Sequence, residues 1–530
     1  MSSYRPSALS ARAPRQPNNL MPEHSPAQRP ARRIAPRLSL LWQRANIGAY
    51  HQLDQQHQVI AATQLMHRRA TREHVMSLSF FDRQSTVAPA GYNRFLVPPA
   101  ALAVHLSIGQ AYAFSTFNLP LTRLIGITHS APSDWKLTDV GWTFSIAIVL
   151  LGVSAAVFGR WVERVGPRLS MFVSALCFGG GFLVAAVGLH FHQIWLLYLG
   201  YGVLGGCGLG IGYISPVSTL IKWFPDRPGM ATGMAIMGFG GGALIAAPLS
   251  LLLMEHFKTA TSNGVLETFV TMGVIYFMYM MIGVIAVRVP APDWKPADWI
   301  PSQKPQALVT NANVAVDMAW RTPQFWLLWG VLCMNVSAGI GVLGQASPMI
   351  QEIFAGRVTP SAAAGFVGLL SLSNMGGRFV WATTSDYLGR RNTYMVFFLL
   401  GILLYSSVPS LGHLSSTGLF VAAFAVILSM YGGGFATIPA YLRDVFGTMQ
   451  VGAIHGRLLT AWSVAGVLGP VLVNYIRQFQ IDHGVPKAQA YSITMYIMCA
   501  LLLVGFLCNF FMRPVDEKYH YRAPSPAPAA

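Results

Sequence analysis

The sequence predicts an all-α integral membrane protein with twelve spanning helices in two halves of six. Three observations carry this expectation. The 530 residues are 53% hydrophobic and only 10% charged. Soluble domains are about 25% charged. Apolar stretches of about 20 residues recur twelve times, long enough to cross a hydrocarbon core of about 30 Å at about 1.5 Å per residue. Barrel strands would instead be about 10 residues long with alternating polarity. Finally, one loop pattern occurs twice, once in each half.

The stretches lie at 94–118, 140–159, 169–190, 193–221, 229–254 and 266–288, then at 323–347, 361–383, 393–410, 417–441, 456–476 and 489–512. A polar, Pro-rich break, PAPDWKPADWIPSQKP, separates the sixth from the seventh and reads as a linker over 289–322. The expected organisation is therefore one six-helix bundle over 76–288, the linker, a second bundle over 323–512 and a tail over 513–530. Residues 1–75 hold 11 Arg, no Lys and 3 acidic residues, a net of +8. They show no apolar period and read as a disordered basic extension, with Met76 a plausible natural start. With a cytoplasmic N-terminus, the 25 Lys and Arg after Met76 divide into 18 on the inner side, 6 on the outer and Arg378 within the membrane. That bias puts both termini in the cytoplasm of a multi-pass protein of the cell inner membrane.

The repeated pattern is in the loops after the second and eighth stretches, GRWVERVGPR (Gly159–Arg168) and ATTSDYLGRR (Ala382–Arg391). Glu163 aligns with Asp386, Gly166 with Gly389 and Arg168 with Arg391, each at the same offset. An acid, a glycine and a base in a short loop suit a hinge. Glycine permits the tight turn, and the charges can pair with each other or with neighbouring helix ends. Gly159, Glu163, Gly166, Arg168, Asp386, Gly389, Arg390 and Arg391 are thus candidate gating residues.

Arg378 is the unusual residue, because no other ionisable residue occurs between Ser361 and Thr383. A guanidinium stays charged at any relevant pH, so within a membrane it reads as a functional group awaiting an anion. Snorkelling to the nearby polar loop is the competing account. The five cysteines fall inside apolar runs at spacings that match no metal or redox pattern, so they read as packing residues. Paired membrane carboxylates, a His cluster and a nucleophile–base arrangement are all missing from the sequence pattern, which argues against an enzyme. No catalytic residue, metal or cofactor is expected.

The loop pattern resembles that of the major facilitator superfamily, whose signature is Gly, three residues, Asp, two residues, Gly, Arg, Arg or Lys. Ala382, Glu163 and Pro167 depart from it mildly. The resemblance covers nearly everything after Met76. It implies two pseudo-symmetric six-helix bundles around a central cavity, rocking between inward and outward states. GQAYAFSTFNLPL (Gly109–Leu121), KWFPDRPGMATGMAIMGFGGGA (Lys222–Ala243), SNMGGRFVWATTSDYLGRR (Ser373–Arg391), YGGGFATIPAYLRDVFG (Tyr431–Gly447) and LLTAWSVAGVLGP (Leu458–Pro470) are similar, in order, to the oxalate/formate antiporter family. In that family an Arg in the eighth segment and a Lys in the eleventh hold the carboxylate among aromatic walls. The Arg matches Arg378 and the aromatics match Tyr431 and Phe435. The Lys position is Trp462.

Two cations suit a dianion and one suits a monoanion. The expected substrate is therefore a monocarboxylate such as formate, lactate, pyruvate or glyoxylate, moved by exchange or facilitated anion transport. Arg378 would grip the carboxylate, Tyr431, Phe435 and Trp462 would shape the pocket, and Gln110, Tyr112 and Tyr213 would add polar contacts. His105 is a candidate proton relay, since its unperturbed pKa is about 6.5. A dicarboxylate antiporter, a proton-coupled symporter and a non-transporting nutrient sensor are the rival readings. The expected partners are a small carboxylate anion and the lipid bilayer, with no nucleic acid and a monomeric state.

Overall fold

The spanning stretches expected from the sequence are all helical in the computed structural model, which describes residues 80–521 apart from 298, 300–307, 311 and 415. The extension expected at 1–75, part of the linker and residues 522–530 of the tail lie outside the described residues. In the first half α1 is Arg94–Ala113, α2 Leu137–Val165, α3 Pro167–His190, α4 Ile194–Trp223, α5 Pro228–Phe257 and α6 Val265–Ala286. In the second half α7 is Pro323–Ile353, α8 Pro360–Leu388, α9 Arg390–His413, α10 Thr417–Phe446, α11 Val451–Asp482 and α12 Ser492–Phe510.

Among the described residues, eleven of these twelve are both long and apolar enough to cross a membrane. The exception is α8, the helix of Arg378. Its 29 residues suffice in length, but Asn374, Arg378 and several serines make it less apolar than its neighbours.

The sequence marks the helix starts clearly. Pro167, Pro228, Pro323 and Pro360 open α3, α5, α7 and α8, where the missing N–H is no loss and the fixed φ suits the first turn. Thr322 and Thr359 cap two of these helices, accepting from Phe325 N at 3.3 Å and Ala362 N at 3.2 Å. Gly166 and Gly389 form the turns between α2 and α3 and between α8 and α9, with φ of +86° and +85°, a region that favours glycine.

The two halves meet mainly along two helix pairs, α2 with α11 and α5 with α8, while α5 also reaches α10 and α4 reaches α11. Inside the second half, α8 packs closely on α10. Glycine makes that approach possible. A Cβ added at Gly377 would land on the Ser429 carbonyl, and one at Gly432 on the Asn374 carbonyl. The linker is tied to the helical body at both ends: Ala88 N donates to Val289 O at 2.9 Å, and Val314 N to Phe446 O at 2.9 Å. Trp223, two residues beyond the stretch expected to span, ends α4 and is buried against Tyr92 and Trp294.

These contacts yield a test. Gly377→Ala drives a methyl into backbone that cannot move aside, so most of the folded protein should be lost on size-exclusion chromatography. Gly365→Ala, in the same helix but with open space around it, should elute like the wild type.

Candidate functional site

α8 places Arg378 where the halves meet. A Cβ at Gly233 of α5 would approach the Arg378 carbonyl to 2.9 Å, and one at Gly240 would approach Nε to 2.8 Å, so α5 makes room for this side chain. Arg378 is 0% exposed, and its guanidinium turns into the helix interface rather than snorkelling outward. Nε donates to Asn374 Oδ1 at 3.1 Å and Nη1 to the Ile236 carbonyl at 3.4 Å, while Nη2 has no partner among the described residues. The guanidinium carbon lies 5.3 Å from the Phe435 ring centre and 5.6 Å from that of Phe239. Among the described residues no carboxylate pairs with it.

Aromatic side chains from both halves close around this charge. The Phe239 ring centre is 5.1 Å from Tyr112, 5.4 Å from Tyr213 and 5.4 Å from Trp462. Trp462 stacks at a tilt on Phe435 at 4.4 Å, and Phe435 meets Tyr431 edge-on at 5.3 Å. The Tyr112 and Tyr431 hydroxyls, one from each half, are 3.2 Å apart. Six of the sequence-selected residues therefore gather: Arg378, Tyr431, Phe435, Trp462, Tyr112 and Tyr213. Gln110 is turned elsewhere, its Oε1 accepting from Tyr201 Oη at 3.0 Å. His105 lies behind Tyr213, with Nδ1 2.6 Å from the Ala235 carbonyl and Nε2 3.2 Å from that of Tyr213.

Two members of the cluster escape sequence reasoning. Phe239 is hidden in a glycine-rich run, although its separation from Trp462 equals that of Glu163 from Asp386 in the repeated loops. His455 of α11 is 1% exposed and its ring centre is 5.8 Å from that of Tyr213, yet neither ring nitrogen has a partner among the described residues. The cluster can offer hydrogen-bond donors and one fixed positive charge to an enclosed anion. Among the described residues, no group of three or more His, Cys, Asp or Glu is placed to hold a metal ion.

The repeated loops form a reciprocal pair of contacts across the halves. Asp386, at the end of α8, accepts from Gly229 N and Met230 N at the start of α5, each at 2.8 Å. Glu163, near the end of α2, accepts from Gly452 N at the start of α11 at 3.1 Å. Gly229 and Gly452 are separated by the same offset as the two acids. Each acid therefore serves the equivalent helix N-terminus of the other half, where a negative charge is favoured.

The bases differ between the copies. Arg390 pairs with Asp386 at 2.5 Å and Asp444 at 3.2 Å, whereas Glu163 pairs with Lys222 at 2.7 Å. Arg168 and Arg391 both turn to carbonyls instead, those of Phe80 at 2.7 Å and Phe510 at 2.6 Å. Gly159 lets α2 and α11 touch, since a Cβ there would be 2.9 Å from Ala453 Cα.

Comparison with known proteins agrees with this architecture. The model of the Major Facilitator Superfamily matches residues 89–470. The oxalate:formate antiporter of Oxalobacter formigenes is 27% identical over 382 residues, covering 72% of this chain and 84% of that protein. The apicoplast pyruvate carrier 1 of Toxoplasma gondii is 24% identical over 446 residues, 74% of this chain and 78% of that one. Among solved structures, the E. coli fucose:proton symporter aligns with a TM-score of 0.57 at 12% identity, covering 78% of this chain and 98% of that one, a likeness of fold alone.

The loop contacts make a quantitative prediction. Glu163→Gln and Asp386→Asn each remove a charged acceptor from a helix N-terminus and should each cost about 1–3 kcal/mol, read as a lower melting temperature of the purified protein. The two contacts share no side chain, so the double variant should show the sum of the single losses to within about 0.5 kcal/mol. A double variant no worse than either single one would mean that the two act as one coupled lock.

Proposed function

Since the chain belongs to the Major Facilitator Superfamily, we propose that it is a secondary transporter that carries a small monocarboxylate by alternating access, with Arg378 gripping the carboxylate. The observation that carries this reading is the wholly enclosed guanidinium, with Nη2 unpartnered and no carboxylate paired with it among the described residues. A charge so placed is costly until an anion neutralises it, and the planar fork of Arg holds a carboxylate through two parallel bonds. Relatives named for oxalate, formate and pyruvate support the chemical class.

Charge then chooses among carboxylates. A dianion held by Arg378 alone would leave one negative charge uncompensated in a site of low dielectric. Trp462, whose indole is neutral, occupies the position where the resemblance would put a lysine. Formate, lactate, pyruvate or a similar monoanion therefore fits better than oxalate. Tyr431, Phe435, Trp462 and Tyr112 shape the site around the organic remainder. The Glu163 and Asp386 loops act as gates of a protein lying in the cell inner membrane with both termini cytoplasmic. Both nitrogens of His105 already face main-chain carbonyls, which favours exchange or facilitated anion movement over a proton relay through this residue.

The reading is tested by uptake of labelled lactate, pyruvate, formate and oxalate into proteoliposomes. Arg378→Gln should weaken monocarboxylate binding by about ten- to a hundredfold, the worth of a charge-assisted hydrogen bond. Arg378→Lys, which keeps the charge but loses the fork, should fall between. Wild-type transport by Arg378→Gln would overturn the role of Arg378, and oxalate exchange faster than that of every monocarboxylate would overturn the charge argument.

A further inference from the structure

Five buried polar atoms around the aromatic cluster have no hydrogen-bond partner among the described residues: Arg378 Nη2, Tyr213 Oη, Trp462 Nε1, and both Nδ1 and Nε2 of His455. Buried polar groups are nearly always paired, so five orphans on side chains linked through Phe239 and Tyr213 mark a place prepared for a polar guest. They form a connected series. Arg378 lies on Phe239, Phe239 meets Tyr213 at 5.4 Å, and Tyr213 meets both Trp462 at 5.4 Å and His455 at 5.8 Å. A carboxylate satisfies the guanidinium. It leaves the far end of the series unanswered.

Among the described residues, His455 lacks the structural bond that its repeat counterpart makes. Its counterpart at the repeat offset is Thr232, whose Oγ1 donates to the Ala436 carbonyl at 2.6 Å. The equivalent of Ala436 is Tyr213, and the Tyr213 carbonyl already faces His105 Nε2 at 3.2 Å. The acceptor that serves Thr232 is thus taken in the other copy. His455 stands in the equivalent position, beside the ring of Tyr213, with both nitrogens free of described partners.

From this geometry, and resting on the monocarboxylate reading above, we propose that His455 is a specificity-determining residue. It reads an oxygen on the carbon next to the substrate carboxylate and so selects 2-hydroxy and 2-oxo monocarboxylates. A neutral imidazole offers one donor and one acceptor, the indole of Trp462 one donor, and the phenol of Tyr213 either role. A hydroxyl both donates and accepts, so it can use the imidazole acceptor and a neighbouring donor together. A keto oxygen uses the donors. Formate and acetate carry no such oxygen and would leave all three side chains unpaired. A site built to hydrogen-bond a substrate oxygen discriminates strongly against the analogue that lacks it.

Matched acids test this directly, because lactate and propionate, or glycolate and acetate, differ by a single hydroxyl. Dissociation constants would be measured by titration calorimetry on the purified full chain, as wild type, His455→Phe and Tyr213→Phe. The wild type should bind lactate at least about tenfold more tightly than propionate, and His455→Phe should bring that ratio to within about twofold of unity. The ratio is taken within each variant, so it does not depend on how much of a variant folds. Tyr213→Phe, which removes only a hydroxyl, should lower the ratio partway.

A wild-type ratio near one, or a ratio that survives His455→Phe, overturns the assignment to His455 while leaving the monocarboxylate reading intact. Binding of neither acid by the wild type overturns both.

Discussion

A positive charge without a counter-ion among the described residues, enclosed between two halves of a membrane protein, sets the terms for the rest of this structure. Taking an ion out of water costs several kcal/mol even after relaxation, and the protein recovers only part of that for Arg378. Two aromatic faces contribute about 0.5–2 kcal/mol each, and the bonds to Asn374 and the Ile236 carbonyl add modestly. Those contributions require close backbones. Gly233 and Gly240 bring α5 onto α8, and Gly377 and Gly432 bring α10 onto it. Without them neither Phe239 nor Phe435 would reach the guanidinium. The glycine-rich texture of the sequence is thus a consequence of where the charge sits as well as of helix packing in general.

The same structure shows where a duplicated scaffold has been kept and where it has been broken. The loops, the acids Glu163 and Asp386, and the glycines they bond all follow one offset between the halves. So do the two rings at the centre, Phe239 and Trp462, which touch at 5.4 Å. The site departs from the repeat. Gly233 packs on the Arg378 carbonyl and its counterpart Gly456 on that of Ala155, so the position equivalent to Arg378 is an alanine. With a charge in only one of two equivalent places, the recognition element of the proposed transporter is one-sided. A rocking motion needs matched gates, whereas recognition of an asymmetric anion needs unmatched partners.

How much of this was legible in the sequence depended on the range of the signal. Helix positions were readable because hydropathy is local: the stretches expected from 169, 229, 323 and 361 start, within two residues, at Pro167, Pro228, Pro323 and Pro360. The glycine turns at 166 and 389 were readable for the same reason. The partners of Glu163 were not: Gly452 is 289 residues away, and no local pattern pairs an acid with a distant helix start. Phe239 and His455 were invisible for a related reason. A phenylalanine among glycines and a histidine near a helix start look ordinary until packing brings them to Tyr213. The offset found in the loops, carried through the membrane segments, would have picked out Phe239 from Trp462. His455 departs from its counterpart Thr232, so the repeat alone could not assign it a role.

On the proposed reading, the charge of Arg378 also bears on how the cycle closes. A carrier loaded with a monoanion has a neutral centre, so the halves can rock around it without moving an unpaired charge. The empty carrier has no such relief, because its guanidinium keeps its charge at any relevant pH and no described carboxylate pairs with it. Returning empty would mean reorganising the aromatic cluster around a bare cation, with the desolvation cost only partly offset. Returning with a second anion avoids that cost. An arginine without a counter-ion therefore favours exchange of one monoanion for another, and it does so through the same deficit of negative charge that makes the site bind an anion at all.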